Sequence, residues 1–201
     1  MTTCETAAAR RVGIFGGTFN PPHNGHIALA EAFLAQAGVD EVWMMVSPQN
    51  PFKAGRQLLD DAMRLEMVQL AVKDRPRLLA SDYEFALPRP SYTYHTLCRL
   101  KADYPGCAFS LLIGGDNWAS FGRWFRGEEV VRMAPLYVYP RMGEELGDAL
   151  PERVHVLRAP LVNVSSTEVR QCAARGEDIS PLVPSAVADY IHHHHLYASE
   201  L

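Results

Sequence analysis

The chain has 201 residues, of which 48% are hydrophobic and 21% charged, so it can bury one sizeable core and is expected to fold as a single domain. Its formal net charge of −4 argues against nonspecific binding to nucleic acid, which requires a basic surface. No apolar run reaches the roughly 18–20 residues of a membrane span, and the N-terminal residues lack the apolar core of a signal peptide. We therefore expect a cytoplasmic protein without a membrane partner.

Residues 1–10 are small and polar and show no periodicity, which predicts a disordered tail before a domain at residues 11–201. The chain has 4 cysteines, and none stands at the spacing of a zinc site or a redox pair. We interpret them as reduced thiols. Neither a disulfide framework nor a metal site built from protein side chains is expected.

The first predicted unit is a buried strand, a glycine turn and a helix. Residues 12–15 indicate the end of a parallel strand, and Gly16 and Gly17 then allow the backbone to approach a ligand closely. Asn24 is predicted to cap the helix, in which apolar residues recur every three or four positions until Gly38 ends it.

Two histidines, His23 and His26, fall at the N-terminus of this predicted helix. Unpaired N–H groups and the positive end of the helix dipole make that position a natural site for anionic oxygen. We interpret both imidazoles as hydrogen-bond donors to phosphate, because a metal would lack a third ligand here. The alternative is that His23 only caps a turn and His26 is a buried histidine whose hydrogen bonds are satisfied.

The rest of the chain alternates strands and helices. Further strands are predicted at residues 41–46, 78–81, 108–113, 136–139 and 154–157, and further helices from Asp60, from Thr93 to about Tyr104, near Trp118 and Glu128, from Ser166 to Arg175 and from Pro184 to His193. A proline-rich loop occupies residues 47–57, and residues 82–90 are too irregular to assign. Because parallel strands need crossover connections, this order predicts a Rossmann-like, doubly wound α/β fold, a mainly parallel sheet with helices on both faces. Its ligand crevice should lie beyond the carboxyl ends of the strands.

Spacing excludes two other classes of nucleotide-binding protein. Gly13, Gly16 and Gly17 do not form the Gly-x-Gly-x-x-Gly fingerprint of dehydrogenases, and the Walker pattern of P-loop proteins is absent. Neither class therefore accounts for a glycine turn that is followed by two histidines at a helix start.

The run Gly16-Gly17-Thr18-Phe19-Asn20-Pro21, followed by His23-Asn24-Gly25-His26, resembles the signature of the nucleotidyltransferase superfamily with the His-x-Gly-His motif. Within it, the chain is similar to bacterial nicotinate-nucleotide adenylyltransferases from about Arg11 to Tyr197. Four later segments agree in order: Ser47-Pro48 through Lys53, Pro90-Ser91-Tyr92-Thr93, Ile113-Gly114-Gly115-Asp116, and Ser165-Ser166-Thr167 through Arg170. The resemblance implies transfer of the adenylyl group of ATP to nicotinate mononucleotide, giving deamido-NAD and pyrophosphate in NAD biosynthesis.

The resemblance leaves several points open. Nicotinamide mononucleotide is an alternative acceptor, and a non-catalytic nucleotide sensor is the alternative from another class. Pantetheine-phosphate adenylyltransferases are less similar, because they usually have threonine where His23 stands and are shorter. The resemblance further implies Mg²⁺ as the companion of ATP rather than as an ion in a dedicated protein cage, and it leaves a homo-oligomer open.

By resemblance, two groups of residues handle the ATP phosphates. His23 and His26 stabilise the transition state, and the same pocket is shaped by the backbone of Gly16, Gly17, Thr18 and Phe19. The second group is Ser166, Thr167 and Arg170, while Lys53 neutralises phosphate charge and Asp116 lies near the adenosine, on ribose hydroxyls or acting through a metal. Each assignment has a plainer alternative. Ser166 and Thr167 could only cap a helix beside a solvated Arg170, Lys53 could be a surface lysine, and Asp116 could only cap the next helix.

The acceptor nucleotide is expected to meet Ser91, Tyr92, Thr93 and Trp124. Trp124 matches the family's ring-stacking tryptophan better than Trp118 does, although core packing is the alternative for either. Arg141 is a further candidate for a phosphate or carboxylate contact.

The sequence departs from the family pattern on the acceptor side. His95 stands where many relatives have an acidic residue, and Asn117-Trp118 replaces smaller residues, which puts recognition of the pyridine ring in doubt. The run His192–His195 matches the family's C-terminal helix rather than a metal site, since histidines suit a helix C-terminus.

Overall fold

The computed structural model describes residues 9–48, 58–140, 150–160 and 162–198. Lys53 and Arg141 lie outside these residues, so what is predicted for them stays a prediction. The strands are β1 (Arg10–Gly17), β2 (Glu41–Val46), β3 (Leu78–Ser81), β4 (Cys107–Gly114), β5 (Leu136–Tyr139) and β6 (Val154–Val156). The helices are α1 (Asn24–Gln36), α2 (Asp61–Val72), α3 (Thr93–Asp103), α4 (Gly115–Ala119), α5 (Gly127–Met133), α6 (Ser166–Ala174) and α7 (Ser185–His193), with short 3₁₀ helices at Tyr83–Ala86 and Phe121–Arg123.

The strands form one parallel sheet in the order β3-β2-β1-β4-β5-β6. The predicted doubly wound fold is confirmed. The chain builds outward from β1 to β3, then crosses back to place β4 on the other side of β1. The order therefore reverses between β1 and β4, and the crevice beyond the carboxyl ends of these two strands is where such sheets bind ligands.

Each face of the sheet carries its own hydrophobic core because side chains alternate along a strand. Phe15 on β1 belongs to the core shared with α1, α2, α6 and α7, whereas Ile14 belongs to the core shared with α3 and α5. Gly13 allows α1 to lie close to β1, since a Cβ at this position would stand 2.6 Å from the ring of Phe33.

Three helices begin at the very residue that the sequence suggested as the N-cap, so each starts one residue earlier than predicted. Asn24, Thr93 and Ser166 are the first helical residues, and the caps are His23, Tyr92 and Ser165. Ser165 rather than Ser166 is the N-cap of α6 because Ser165 forms a capping box. Its hydroxyl accepts the N–H of Glu168 at 3.1 Å, and the Glu168 carboxylate accepts the N–H of Ser165 at 3.4 Å. The helices predicted from Asp60 and from Pro184 are α2 and α7, which have these two residues as their N-caps.

Other boundaries differ little from the predictions. The first strand begins at Arg10, inside the predicted tail, because the N–H of Arg10 donates to the carbonyl of Gly106 at 3.1 Å. Residues 82–90, left unassigned from sequence, contain the 3₁₀ helix at Tyr83–Ala86. Within the described residues, no helix combines the length and the hydropathy that crossing a bilayer requires.

Candidate active site

A pocket opens at the carboxyl ends of β1 and β4, at the reversal of strand order. Its walls include the glycine turn, the residue that follows β2, the segment that leads into α3, and residues after β4: Gly16, Gly17, Thr18, Ser47, Ser91, Tyr92, Thr93, Gly114, Asn117, Trp124 and Phe125. The structure thus brings the predicted ATP turn and the predicted acceptor segment to one cavity. The lining combines backbone, hydroxyl and aromatic groups, which suits the ring and sugar of a nucleotide.

The histidine pair lies beside this pocket, not in its walls. His23 is the N-cap of α1 and His26 is the third helical residue. Their rings stack at 3.7 Å between centroids, and the Phe19 ring meets the His26 ring edge-on at 5.0 Å. The glycine turn therefore joins two regions, because Gly16 to Thr18 line the pocket while Phe19 packs on the histidines.

The hydrogen bonding of His26 fixes which of its nitrogens carries the proton. Its Nδ1 accepts the backbone N–H of His23 at 3.2 Å. In a neutral imidazole the other nitrogen must then be the donor, so Nε2 carries the proton. A donor with a fixed tautomer at a helix N-terminus suits an anionic oxygen.

Burial keeps His23 neutral. The residue is only 8% exposed, and desolvation lowers its pKa to about 4. Its Nδ1 has no hydrogen-bond partner among the described residues. The alternative given for His23, that it caps the start of the helix, agrees with its position as the N-cap of α1, and the alternative given for His26 is not tested by these contacts.

The second set of predicted phosphate-binding residues, on α6, contacts the turn that carries the first set. The Ser166 hydroxyl donates to the carbonyl of Pro21 at 2.9 Å, and Arg170 donates to the carbonyl of Asn20 at 2.9 Å and to the Thr167 hydroxyl at 3.4 Å. The N-terminus of α6 is thus seated against the turn that leads into His23. Two helix N-termini meet at one place, as the phosphate interpretation requires.

The same turn is closed from a third direction. The Tyr197 hydroxyl donates to Oδ1 of Asn20 at 3.1 Å, in a bond that is buried. The N–H of Leu59 donates to the same oxygen at 3.4 Å. Asn20 is only 4% exposed, so its side chain serves the turn rather than a ligand.

On the acceptor side, the structure separates the two candidate tryptophans. Trp124 lines the pocket, whereas Trp118 is outside its walls and stacks on Phe121 at 5.3 Å. The indole N–H of Trp124 is buried without a hydrogen-bond partner among the described residues. Phe125 and Tyr92, 44% and 37% exposed, pack at 5.3 Å beside it.

Comparison with known proteins agrees with this geometry. Residues 14–172 match the family model described as cytidylyltransferase-like. A protein of Bacteroides fragilis named a probable nicotinate-nucleotide adenylyltransferase is 49% identical over 90% of both chains, and one of Flavobacterium johnsoniae with the same name is 41% identical over 93% of this chain and 98% of its own. This chain belongs to the nicotinate-nucleotide adenylyltransferase family.

Solved structures confirm the fold of the family. The nicotinic acid mononucleotide adenylyltransferase of Plasmodium falciparum, complexed with NaAD, superimposes with a TM-score of 0.80. It is 19% identical, and the match covers 94% of this chain and 98% of that one.

Within this nicotinate-nucleotide adenylyltransferase fold, Asp116 does not line the pocket. It is an exposed residue in the first turn of α4, and its neighbour Asn117 forms the wall instead. The predicted contact of Asp116 with adenosine stays a prediction.

Two buried charged residues were not predicted from sequence: Glu84, which lines the pocket, and Arg64, which lies outside its walls. Arg64 is fully buried on α2, at a position that continues the apolar stripe of Met67, Val68 and Ala71. A charged residue in an apolar stripe is a signal that the sequence did offer. Glu84 lies in the segment that carried no readable period, so no pattern pointed to it.

Proposed function

We propose that this chain transfers the adenylyl group of ATP to nicotinate mononucleotide and releases deamido-NAD and pyrophosphate. The observation that carries the proposal is the meeting of the two helix N-termini, those of α1 and α6, at the Asn20–Pro21 turn beside a pocket lined by Ser91, Thr93 and Trp124. Relatives that are 35–49% identical carry the corresponding name.

In the proposed reaction, a 5′-phosphate oxygen of the mononucleotide forms a bond to the α-phosphorus of ATP. The bond from that phosphorus to the β-phosphate bridging oxygen breaks, and pyrophosphate takes the electron pair. No covalent bond to the protein is needed, so the residues act by alignment and by stabilising charge on phosphate oxygens.

Hydrogen-bond donors rather than a dense cluster of charge meet the phosphates at α1. His26 supplies an Nε2–H whose tautomer the His23 backbone fixes, and His23 remains neutral because burial lowers its pKa to about 4. Neutral dipoles held in place cost no reorganisation as charge develops in the transition state. Positive charge is proposed to come from Arg170 and Lys53, and further hydrogen-bond donors from Ser166 and Thr167.

The acceptor is proposed to bind in the pocket with its pyridine ring against Trp124. An indole face offers a flat apolar platform, and the segment Ser91 to Thr93 offers hydroxyl groups in the walls of the same pocket. This arrangement places the acceptor on the α3 side of the glycine turn and the triphosphate on the α1 side.

Mg²⁺ is proposed to arrive with ATP. Among the described residues, no group of three or more His, Cys, Asp or Glu side chains could hold a metal ion. These residues do not provide a resident site, so the ion would be held by the phosphate oxygens of ATP, whose charge it would neutralise. We propose a cytoplasmic location because ATP is supplied there, while the oligomeric state stays a prediction.

The test measures pyrophosphate release with ATP and Mg²⁺ and each acceptor in turn: nicotinate mononucleotide, nicotinamide mononucleotide and phosphopantetheine. We expect the highest kcat/KM with nicotinate mononucleotide and a product with the mass of deamido-NAD. A preference for nicotinamide mononucleotide would overturn the acceptor assignment. Binding of ATP without release from any acceptor would identify a nucleotide sensor instead.

A further inference from the structure

Arg64 is a charged side chain that is completely buried behind the glycine turn. All five of its N–H groups are used, on the carbonyls of Leu59 (3.0 Å), Thr18 (2.6 Å), Ser47 (2.9 Å) and Pro48 (3.4 Å) and on the carboxylate of Asp61. Core stability alone does not require such a residue, since an apolar side chain in place of a buried ion is often neutral or stabilising. The fork geometry instead suits the task of holding several carbonyls at fixed positions.

Two of these carbonyls belong to the pocket. Thr18 follows β1 and Ser47 follows β2, and both residues line the cavity, whereas Arg64 is not part of its walls. One guanidinium nitrogen, Nη1, bonds both carbonyls. Arg64 therefore sets the ATP turn against Ser47 from behind, without touching a ligand.

Glu84 holds Ser47 from the other side. Its carboxylate accepts the hydroxyls of Ser47 at 2.8 Å, Ser91 at 3.2 Å and Thr96 at 2.8 Å, and the residue is only 8% exposed. Glu84 lines the pocket, unlike Arg64, but a carboxylate repels phosphate, so it is unsuited to bind either proposed substrate through its phosphates. Its bonds instead connect Ser47 with the acceptor segment at Ser91.

Ser47 is thus the shared point of two buried charges. Its carbonyl accepts from Arg64, its hydroxyl donates to Glu84, and its N–H donates to the carbonyl of Gly17 at 2.8 Å. An uninterrupted chain of bonds runs from Thr18 through Arg64, Ser47 and Glu84 to Ser91. The two ends of this chain are the predicted ATP turn and the predicted acceptor segment.

We propose that Arg64 and Glu84 are positioning residues of adenylyl transfer, which grip Ser47 from its two sides and so fix the acceptor segment relative to the ATP turn. The inference rests on the proposed function and deepens it. The attacking oxygen must lie in line with the α-phosphorus, and a misplacement of about 1 Å can cost roughly 10²-fold in rate. Loosening this chain should therefore lower kcat in an enzyme that is still folded.

Two variants remove bonds of this chain, and a third is the conservative control. Ser47→Ala removes the hydroxyl bond to Glu84 and keeps the backbone carbonyl that Arg64 holds. Glu84→Ala removes all three hydroxyl bonds, whereas Glu84→Gln keeps an amide oxygen that accepts and an amide N–H that hydroxyls can accept. We expect kcat to fall about tenfold in Ser47→Ala, roughly 10²-fold in Glu84→Ala, and less than threefold in Glu84→Gln.

The matched control is Glu41→Ala. Glu41 is as buried as Glu84, at 7% exposed, and accepts hydrogen bonds from Arg10 and Trp43, but it lies at the opposite end of β2. Its removal should lower the melting temperature and leave kcat unchanged. If Glu84 affected stability alone, Glu41→Ala and Glu84→Ala would change kcat in the same way.

A double-mutant comparison tests the shared point. Because Ser47→Ala and Glu84→Ala interrupt the same bond, the double variant should lose little more kcat than Glu84→Ala alone. Each kcat is referred to folded protein, checked by circular dichroism and thermal melting, with nicotinate mononucleotide and ATP saturating.

The outcomes separate the inference from the proposed function. If the wild-type enzyme makes deamido-NAD and the folded Ser47→Ala and Glu84→Ala variants are both within threefold of its kcat, the inference alone is overturned. If Glu84→Ala does not fold, wild-type kcat in Ser47→Ala overturns it by itself. A wild type without activity would overturn the proposed function, and the inference with it.

Discussion

The substitution His26→Asn isolates the proposed donor to phosphate. His26 has two bonding roles: Nδ1 accepts the N–H of His23 at 3.2 Å, and Nε2 carries the proton. An asparagine oxygen stands close to the position of Nδ1 and can accept the same N–H, but asparagine has no group at the position of Nε2. The variant should therefore keep the helix N-terminus and lose the donor.

The expected loss follows from the role of that donor. Removing one hydrogen bond that is made to a developing oxyanion costs about 10²–10³ in kcat, or roughly 2.7–4 kcal/mol. His26→Ala should lose the same activity and, in addition, about 0.5–2 kcal/mol of stability, because the N–H of His23 then loses its partner. The difference in stability between the two variants measures the capping role of the imidazole.

The assay is steady-state pyrophosphate release with both substrates varied, beside urea unfolding of each variant. A folded His26→Asn enzyme with kcat within threefold of wild type would refute the reasoning. Equal stability of the asparagine and alanine variants would refute the capping role and leave the catalytic one standing.

Three further predictions concern other parts of the chain. His23 has a pKa of about 4 in the folded chain, against 6.5 for an ordinary histidine, so between these pH values the unfolded chain binds the extra proton. The unfolding free energy should therefore fall by up to about 3 kcal/mol as the pH drops from 6.5 to 4. His23→Gln should remove this dependence in urea titrations run across that range. Gly13→Ala should lower the unfolding free energy by roughly 1–3 kcal/mol because the added Cβ meets the Phe33 ring. Gly106→Ala, where nothing lies within 4 Å of an added Cβ, should not lower it. Equal urea unfolding midpoints of the two variants would contradict this packing. Trp124→Ala should raise the KM of the mononucleotide about 10–100-fold and leave the KM of ATP unchanged in initial-rate kinetics. A rise in both KM values would mean that the indole ring does not contact the acceptor alone.

The sheet was predictable from sequence because its central strands are largely buried on both faces and its edge strands are still apolar. Such strands are continuous apolar runs, and the predicted bounds 41–46, 78–81 and 136–139 are those of β2, β3 and β5. Helix starts were harder to place, because adjacent polar residues such as Ser165 and Ser166 compete for the cap. The Ser-x-x-Glu pattern ending at Glu168 would have decided that case.

The candidate site was predictable where a motif is local and obscure where it depends on long-range contacts. The His23–His26 spacing and the glycine turn are visible within a few residues. By contrast, the role of Glu84 depends on hydroxyls from Ser47, 37 residues away, and Thr96, 12 residues away, which no periodicity brings together. Arg64 is intermediate, since its position in an apolar stripe was visible and its carbonyl partners were not.

The Asn20–Pro21 turn shows that the histidine motif is not a self-sufficient module. The three bonds that reach it from Ser166, Arg170 and Tyr197 span 145, 150 and 177 residues of sequence. Contacts of such separation form only after the intervening chain has been ordered, because closing long loops is entropically costly. The proposed ATP site is therefore a property of the complete fold, because two of these three bonds come from α6, which is far from the histidine motif in sequence.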